Sequence, residues 1–178
     1  LVGFEPGFER HGGENASKRD AAVDLAKRAG VVLLCLGLDE IAESEGADRL
    51  SMLINDNQKQ LIKAVAAVNP NVVVLLSAGS SVETGWTSDA KAVVYCALGG
   101  QAGAGAALDV VAGKVNPSGK LTETWPVCLE DTPTAGRFPS EEQTSEYREG
   151  IFVGYRYYEA AGVPVAYPFG YGLSYTSF

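Results

Sequence analysis

Val31-Val32-Leu33-Leu34-Cys35-Leu36 is the stretch that decides the fold. It is short, apolar throughout and opens on β-branched residues, the pattern of a strand buried on both faces of a parallel sheet. Directly beyond it the chain reads Leu38-Asp39-Glu40-Ile41-Ala42-Glu43-Ser44-Glu45-Gly46-Ala47-Asp48-Arg49. In open parallel sheets ligands collect in the crevice past the carboxyl ends of the strands, and this acidic segment occupies that position. Two readings stay open from the residues alone: a solvated acidic turn, or a loop that carries a working acid.

Outward from the strand, the pattern alternates. Ser17 can cap a helix whose apolar positions Ala22, Leu25, Ala26 and Ala29 form one stripe, with Gly30 placed to end it. After the acidic loop a second helix starts near Asn55, with Gln58 in a capping arrangement and a stripe of Leu61, Ile62, Val65 and Val68. Asn69-Pro70 cannot continue a helix, so the chain turns into a strand over Val72-Val73-Val74-Leu75-Leu76. That strand runs into the small residues Ser77-Ala78-Gly79-Ser80-Ser81, which suit a place where backbone comes close to something, or an ordinary turn. A third buried strand, Ala92 to Ala97, leads through a glycine turn to a helix around Ala106 to Ala112. The glycines at 100, 103 and 105 are spaced G-x-x-G-x-G, the reverse of the dinucleotide fingerprint, so close packing explains them better than a nucleotide does.

Beyond Gly113 the character changes. Asn116-Pro117-Ser118-Gly119-Lys120 is a turn, Leu121 to Trp125 alternates like a half-exposed strand, and Pro126 to Thr144 reads as loop. The tail is aromatic, from Tyr155-Arg156-Tyr157-Tyr158 to Tyr167-Pro168-Phe169-Gly170-Tyr171, and covers a sheet face, a partner domain or a sugar. The fold class expected is α/β: one domain over residues 1–178, a layered α/β sandwich. Its sheet is mostly parallel, or mixed, with about five to six strands, helices on both faces and a loop-rich aromatic tail.

Composition narrows the function classes. With 178 residues, 46% hydrophobic and 20% charged, the chain is globular, and no apolar run approaches the roughly 18 residues of a membrane span. A net charge of −8 without a basic cluster argues against nucleic acid. Cys35, Cys96 and Cys128 are odd in number and widely spaced; they read as buried structural thiols, which favours a reducing, cytoplasmic compartment. The single histidine, His11, has no Gly-x-Ser-x-Gly nucleophile to serve and reads as a surface residue. The chain opens on Leu1 rather than Met, which suggests a piece of something larger, and the Asn15-Ala16-Ser17 triplet is read as chance.

Five ordered segments carry a resemblance. They are Glu43-Ser44-Glu45-Gly46-Ala47-Asp48-Arg49, Ala67 to Val74, Asn116 to Leu121, Glu149 to Tyr158, and Pro168 to Thr176. Together they make the chain similar to the second domain of family 3 glycoside hydrolases, the β-glucosidase and β-xylosidase family. The resemblance implies a two-part active site, in which a (β/α)8 barrel supplies an aspartate nucleophile and this α/β domain presents a glutamate acid/base from a loop over the barrel mouth. It implies Glu45 as the acid/base with Glu43 as runner-up, Asp48 and Arg49 as substrate-binding neighbours, a β-glucoside or oligosaccharide substrate, and no cofactor or metal. Ala47 stands where the family typically has an aromatic residue. Crowding Glu40, Glu43, Glu45 and Asp48 is expected to keep one carboxyl protonated by like-charge repulsion, with Arg49 pairing Asp48. A barrel needs about 250 residues by itself, so the chain alone is expected to fold without turning over. The rival expectation is a non-catalytic carbohydrate-binding domain.

Overall fold

A computed structural model describes residues 1–140 and 143–177. Helix α1 (Ala16–Ala26) leads into strand β1 (Val32–Gly37), helix α2 (Asp56–Ala66) into β2 (Val72–Ser77), and β3 (Ala92–Tyr95) follows. The three strands are parallel in the order β1-β2-β3, with Leu34 opposite Val74, Leu36 opposite Leu76, and Leu76 opposite Tyr95. Helix α3 (Gly103–Val111) comes next, then β4 (Trp125–Pro126), helix α4 (Tyr155–Ala161) and β5 (Val165–Tyr167), with β4 and β5 forming an antiparallel pair.

The expectation of about five to six strands is corrected: the described residues form a three-stranded parallel sheet and a separate two-stranded one. Leu121 to Thr124, read as strand, is irregular, and only Trp125 and Pro126 pair. Part of the stretch read as loop, Glu141 and Glu142, lies outside the described residues, as does Phe178.

The core explains the layer. Leu34, Leu36, Val72, Val74 and Leu76 turn to one face, where they cluster with Ala26 of α1 and with Leu61, Ile62 and Val65 of α2. A sheet wound in the order 1-2-3 by right-handed crossovers carries its helices on one side, and the burial pattern agrees. On the opposite face Leu33 and Cys35 are exposed and Val73, Leu75 and Val94 only half-buried; α3 buries no residue at all. The reading of β1 as buried on both faces therefore fails, and so does the reading of the cysteines as buried thiols: Cys35 is exposed, Cys96 and Cys128 half-buried.

Local chemistry sets the boundaries. Asn15, not Ser17, caps α1, its side chain accepting from the Lys18 N–H at 3.1 Å while its amide donates to Glu9. The helix stops at Ala26 rather than Gly30, and the buried Asn69 amide takes up the carbonyls of Ala26 and Ala29 at 2.9 and 2.7 Å. An aromatic seam joins sheet to tail: Trp125 meets Tyr95 edge-on at 5.1 Å and Tyr167 at 6.2 Å, and Tyr167 meets Tyr171 at 5.0 Å.

Candidate active site

The acidic loop is rooted where β1 ends. Gly37 has its N–H and C=O on the free edge of β1, and the side chain of Gln58, 2% exposed on α2, reads both: Oε1 accepts from Gly37 N at 2.9 Å and Nε2 donates to Gly37 O at 2.8 Å. Gln58 thus stands in for a neighbouring strand, not for the cap expected of it. On the other edge, a Cβ at Gly37 would lie 1.9 Å from the Ser77 carbonyl oxygen, so β1 and β2 can close together only over glycine.

Asp39 turns the chain. Its side chain, 7% exposed, accepts from the N–H groups of Ala42 and Ile41 at 2.9 and 3.1 Å and faces His11 at 3.4 Å. The Ala42 N–H, opposed by burial and assisted by Ile41 and His11, holds this carboxyl below its usual range. Glu40 pairs with Arg10 at 2.7 Å, so the glycine-rich entry containing Arg10 and His11 lies against the root of the loop.

Glu43 then folds back over the end of β2. Both carboxylate oxygens accept from the Gly79 N–H, at 2.9 and 3.0 Å, and Oε1 lies 3.7 Å from Arg49. The small residues after β2 are explained here, because a Cβ on Gly79 would come within 3.1 Å of Glu43 Oε1. Arg49 is the hub: Nε donates to Ser51 O at 2.8 Å, one terminal nitrogen to Ser80 Oγ at 2.7 Å and the other to Ser81 O at 2.9 Å. Glu43 and Arg49 side chains are 19% and 18% exposed. Burial pulls the guanidinium down from its ordinary value, against the attraction of Glu43 and Glu123. Arg49 pairs with Glu43, and not with Asp48 as expected from the sequence. Glu45 and Asp48 are exposed, Glu45 at the loop tip beside Gly46, whose φ is +80°.

Two further groups converge on this crevice that sequence reasoning missed. Glu123, one residue before the buried Thr124, is held by the Ser81 N–H and faces Arg49; desolvation nonetheless raises its carboxyl above the usual range. Tyr95 at the end of β3 donates to Ala78 O at 2.9 Å, and burial, with Glu123 and Glu43 nearby, pushes its phenol up. The alternation of Leu121 to Trp125 was the available signal for Glu123. The arrangement can therefore hold one carboxylate, Glu43, rigidly at the strand ends and offer a second, Glu45, from a projecting tip. Among the described residues no group of histidine, cysteine and carboxylate side chains is arranged to hold a metal ion.

Comparison with known proteins agrees with this architecture. The family described as the glycosyl hydrolase family 3 C-terminal domain matches residues 9–175. Thermostable beta-glucosidase B of Acetivibrio thermocellus is 48% identical over 169 residues, which cover 93% of this chain and 22% of that protein. An exo-alpha-(1->6)-L-arabinopyranosidase of Bifidobacterium breve is 46% identical over 178 residues, 98% of this chain and 23% of that protein. The solved structure of a Bifidobacterium adolescentis glycoside hydrolase family 3 beta-glucosidase superposes with a TM-score of 0.95 at 48% identity, covering 98% of this chain and 26% of that one. The chain spans 22–23% of the length of these curated relatives. An α/β layer with its acidic loop at the strand ends, matched to one domain model over nearly its whole length, belongs to glycoside hydrolase family 3 as that family's C-terminal domain.

Proposed function

We propose that this domain supplies the general acid/base of a retaining β-glycosidase, a β-glucosidase first of all, and that a (β/α)8 barrel of the same parent protein supplies the nucleophile. The observation that carries the proposal is the seating of Glu43: a carboxyl group tied by a backbone N–H and flanked by a half-buried Arg49, in the crevice beyond β1 and β2. A group that transfers a proton in two successive steps has to be positioned by its surroundings. That favours Glu43 over Glu45, reversing the order expected from the sequence.

In such a mechanism the carboxyl group donates its proton to the glycosidic oxygen as the barrel carboxylate, about 5 Å away across the bond, attacks the anomeric carbon. The alcohol leaves, a covalent glycosyl ester remains, and the same residue, now a carboxylate, takes a proton from the water that hydrolyses that ester. Arg49 holds the Ser80-Ser81 turn and so fixes the Gly79 N–H on which Glu43 rests. Two relatives named for different sugars, a beta-glucosidase and an exo-alpha-(1->6)-L-arabinopyranosidase, make a terminal β-glucosyl and a terminal α-L-arabinopyranosyl unit the substrates to compare.

The test is leaving-group dependence in the parent enzyme. Glu43→Gln is expected to slow alkyl glucosides by about 10²–10⁴-fold while sparing activated aryl glucosides, with Glu45→Gln losing less than about tenfold on either. Equal losses on both substrate classes, or full activity in both variants, would reject an acid/base on this loop. The opposite ranking would return the role to Glu45.

A further inference from the structure

A cleft of about 370 Å³ opens at the turn after β2, from Ser81 and Glu123 across Thr124 to Tyr155, Tyr158 and Phe169. It continues past the same Thr124 and aromatic rings toward Glu159. Its size lies within the range of small-molecule sites. We propose that this cleft is a saccharide site in its own right, one that takes a neutral pyranose unit with the ring's apolar face on Phe169 and its hydroxyls toward Glu123.

The lining selects that chemistry. Neither Lys nor Arg is among the lining residues of either part, while Glu123 and Glu159 are, so an anionic ligand is repelled. Glu123 is exposed and lines the cleft while the Ser81 N–H holds it and the Arg49 charge attracts it, and a carboxylate so held can accept from two neighbouring hydroxyls of one ring. The aromatic wall is stiff. Tyr155 lies under the Arg156 guanidinium at 5.0 Å and against Phe169 at 5.3 Å, leaving Phe169, 52% exposed, as the open platform. Aromatic platforms set beside a hydrogen-bonding carboxylate match a sugar ring, which has one face of C–H groups and a rim of hydroxyls. Ser81 belongs to both places: its carbonyl accepts from Arg49 and its residue lines the cleft. A saccharide bound here therefore lies against the Ser80-Ser81 turn, two residues along the chain from the Gly79 N–H that seats Glu43.

The choice of a sugar as ligand rests on the glycosidase reading; the cleft and its charge do not. Saturation-transfer NMR and titration of the 178-residue chain with cellobiose and with methyl β-D-glucoside test it, with glycerol as the non-pyranose control. The expected result is binding with a Kd on the order of millimolar, saturation strongest on the axial H1, H3 and H5 protons of one ring face, and none on glycerol. Phe169→Ala and Glu123→Gln are each expected to weaken binding about tenfold, with circular dichroism unchanged. No transfer from either saccharide, or binding unaltered in both variants, would overturn the proposal. Because this assay needs no turnover, binding here with full parent activity in Glu43→Gln and Glu45→Gln would sink the catalytic reading alone, and the reverse pattern would sink this one alone.

Discussion

Removing the Gln58 amide should detach the acidic loop from its root. The side chain is 2% exposed and satisfies both backbone groups of Gly37, at 2.9 and 2.8 Å. Gln58→Met keeps the volume and the helix propensity but deletes both bonds. Two neutral hydrogen bonds contribute about 1 kcal/mol each, and leaving the Gly37 N–H and C=O without partners adds roughly 1–2 kcal/mol, so a loss of about 3–4 kcal/mol is expected. At about 2–4 °C per kcal/mol for a chain of this size, the midpoint of thermal unfolding should fall by roughly 6–16 °C. Gln58→Glu sharpens the test, because a carboxylate can accept from Gly37 N–H but only a protonated carboxyl can donate to Gly37 O. Its folded-state pKa is therefore raised, and this variant should be most damaged at neutral pH and partly rescued on acidification. Urea and thermal melts followed by circular dichroism at both pH values decide the matter. A Gln58→Met chain within about 0.5 kcal/mol of the parent sequence would refute the argument that this amide completes the free edge of β1.

Three other perturbations follow from the same geometry. Gly37→Ala would put a Cβ 1.9 Å from Ser77 O, so it should cost at least about 4 kcal/mol or prevent folding, visible as loss of the cooperative melt; a soluble, cooperatively folding variant would contradict the close approach of β1 and β2. Asp39 has its carboxyl held low by the Ala42 and Ile41 amides, so its stabilisation is complete above the unfolded value near 3.9 and fades as pH falls through the lower folded value. The stability gap between the natural chain and Asp39→Asn should accordingly be full at neutral pH and close below about pH 4, and a gap independent of pH would count against it. Cys35, on the uncovered sheet face, should react with a thiol reagent in the folded chain well before Cys96, whose thiol is pushed up by burial and by the nearby Cys35; equal, slow labelling of both would show that face to be covered.

The three parallel strands were legible because each is a short apolar run rich in Val or Leu, bounded by turn residues. Their ends agree with the structure to within a residue or two, as at Val72–Ser77. What the pattern could not show was which face is covered: Leu33 and Cys35 are as apolar as Leu34 and Leu36, yet a strand's composition says nothing of the winding direction that puts both α1 and α2 on one side. The site divided in the same manner. Glu43, Glu45, Asp48 and Arg49 stand out by clustering, and the structure brings Glu43 to Arg49 while leaving Glu45 and Asp48 in solvent. Gln58 and Glu123 escaped because their roles depend on partners 21 and 42 residues away in sequence, Gly37 and Ser81, where no spacing rule reaches. Gln58 at a capping spacing even suggested a different task, which the Gly37 backbone overrode.

The ring ladder running from Tyr95 through Trp125 to Tyr167 and Tyr171 gives the molecule its own optical gauge. Trp125 is 3% exposed, its Nε1 has no hydrogen-bond partner among the described residues, and phenols flank it at 5.1 and 6.2 Å, so its emission is expected at short wavelength only while the tail stays docked. Trp86, whose Nε1 donates to Glu83 O at 2.9 Å, reports on a separate corner of the core. Undocking of the last third of the chain would thus announce itself as a colour change from one indole, with the parallel strands still intact beneath it.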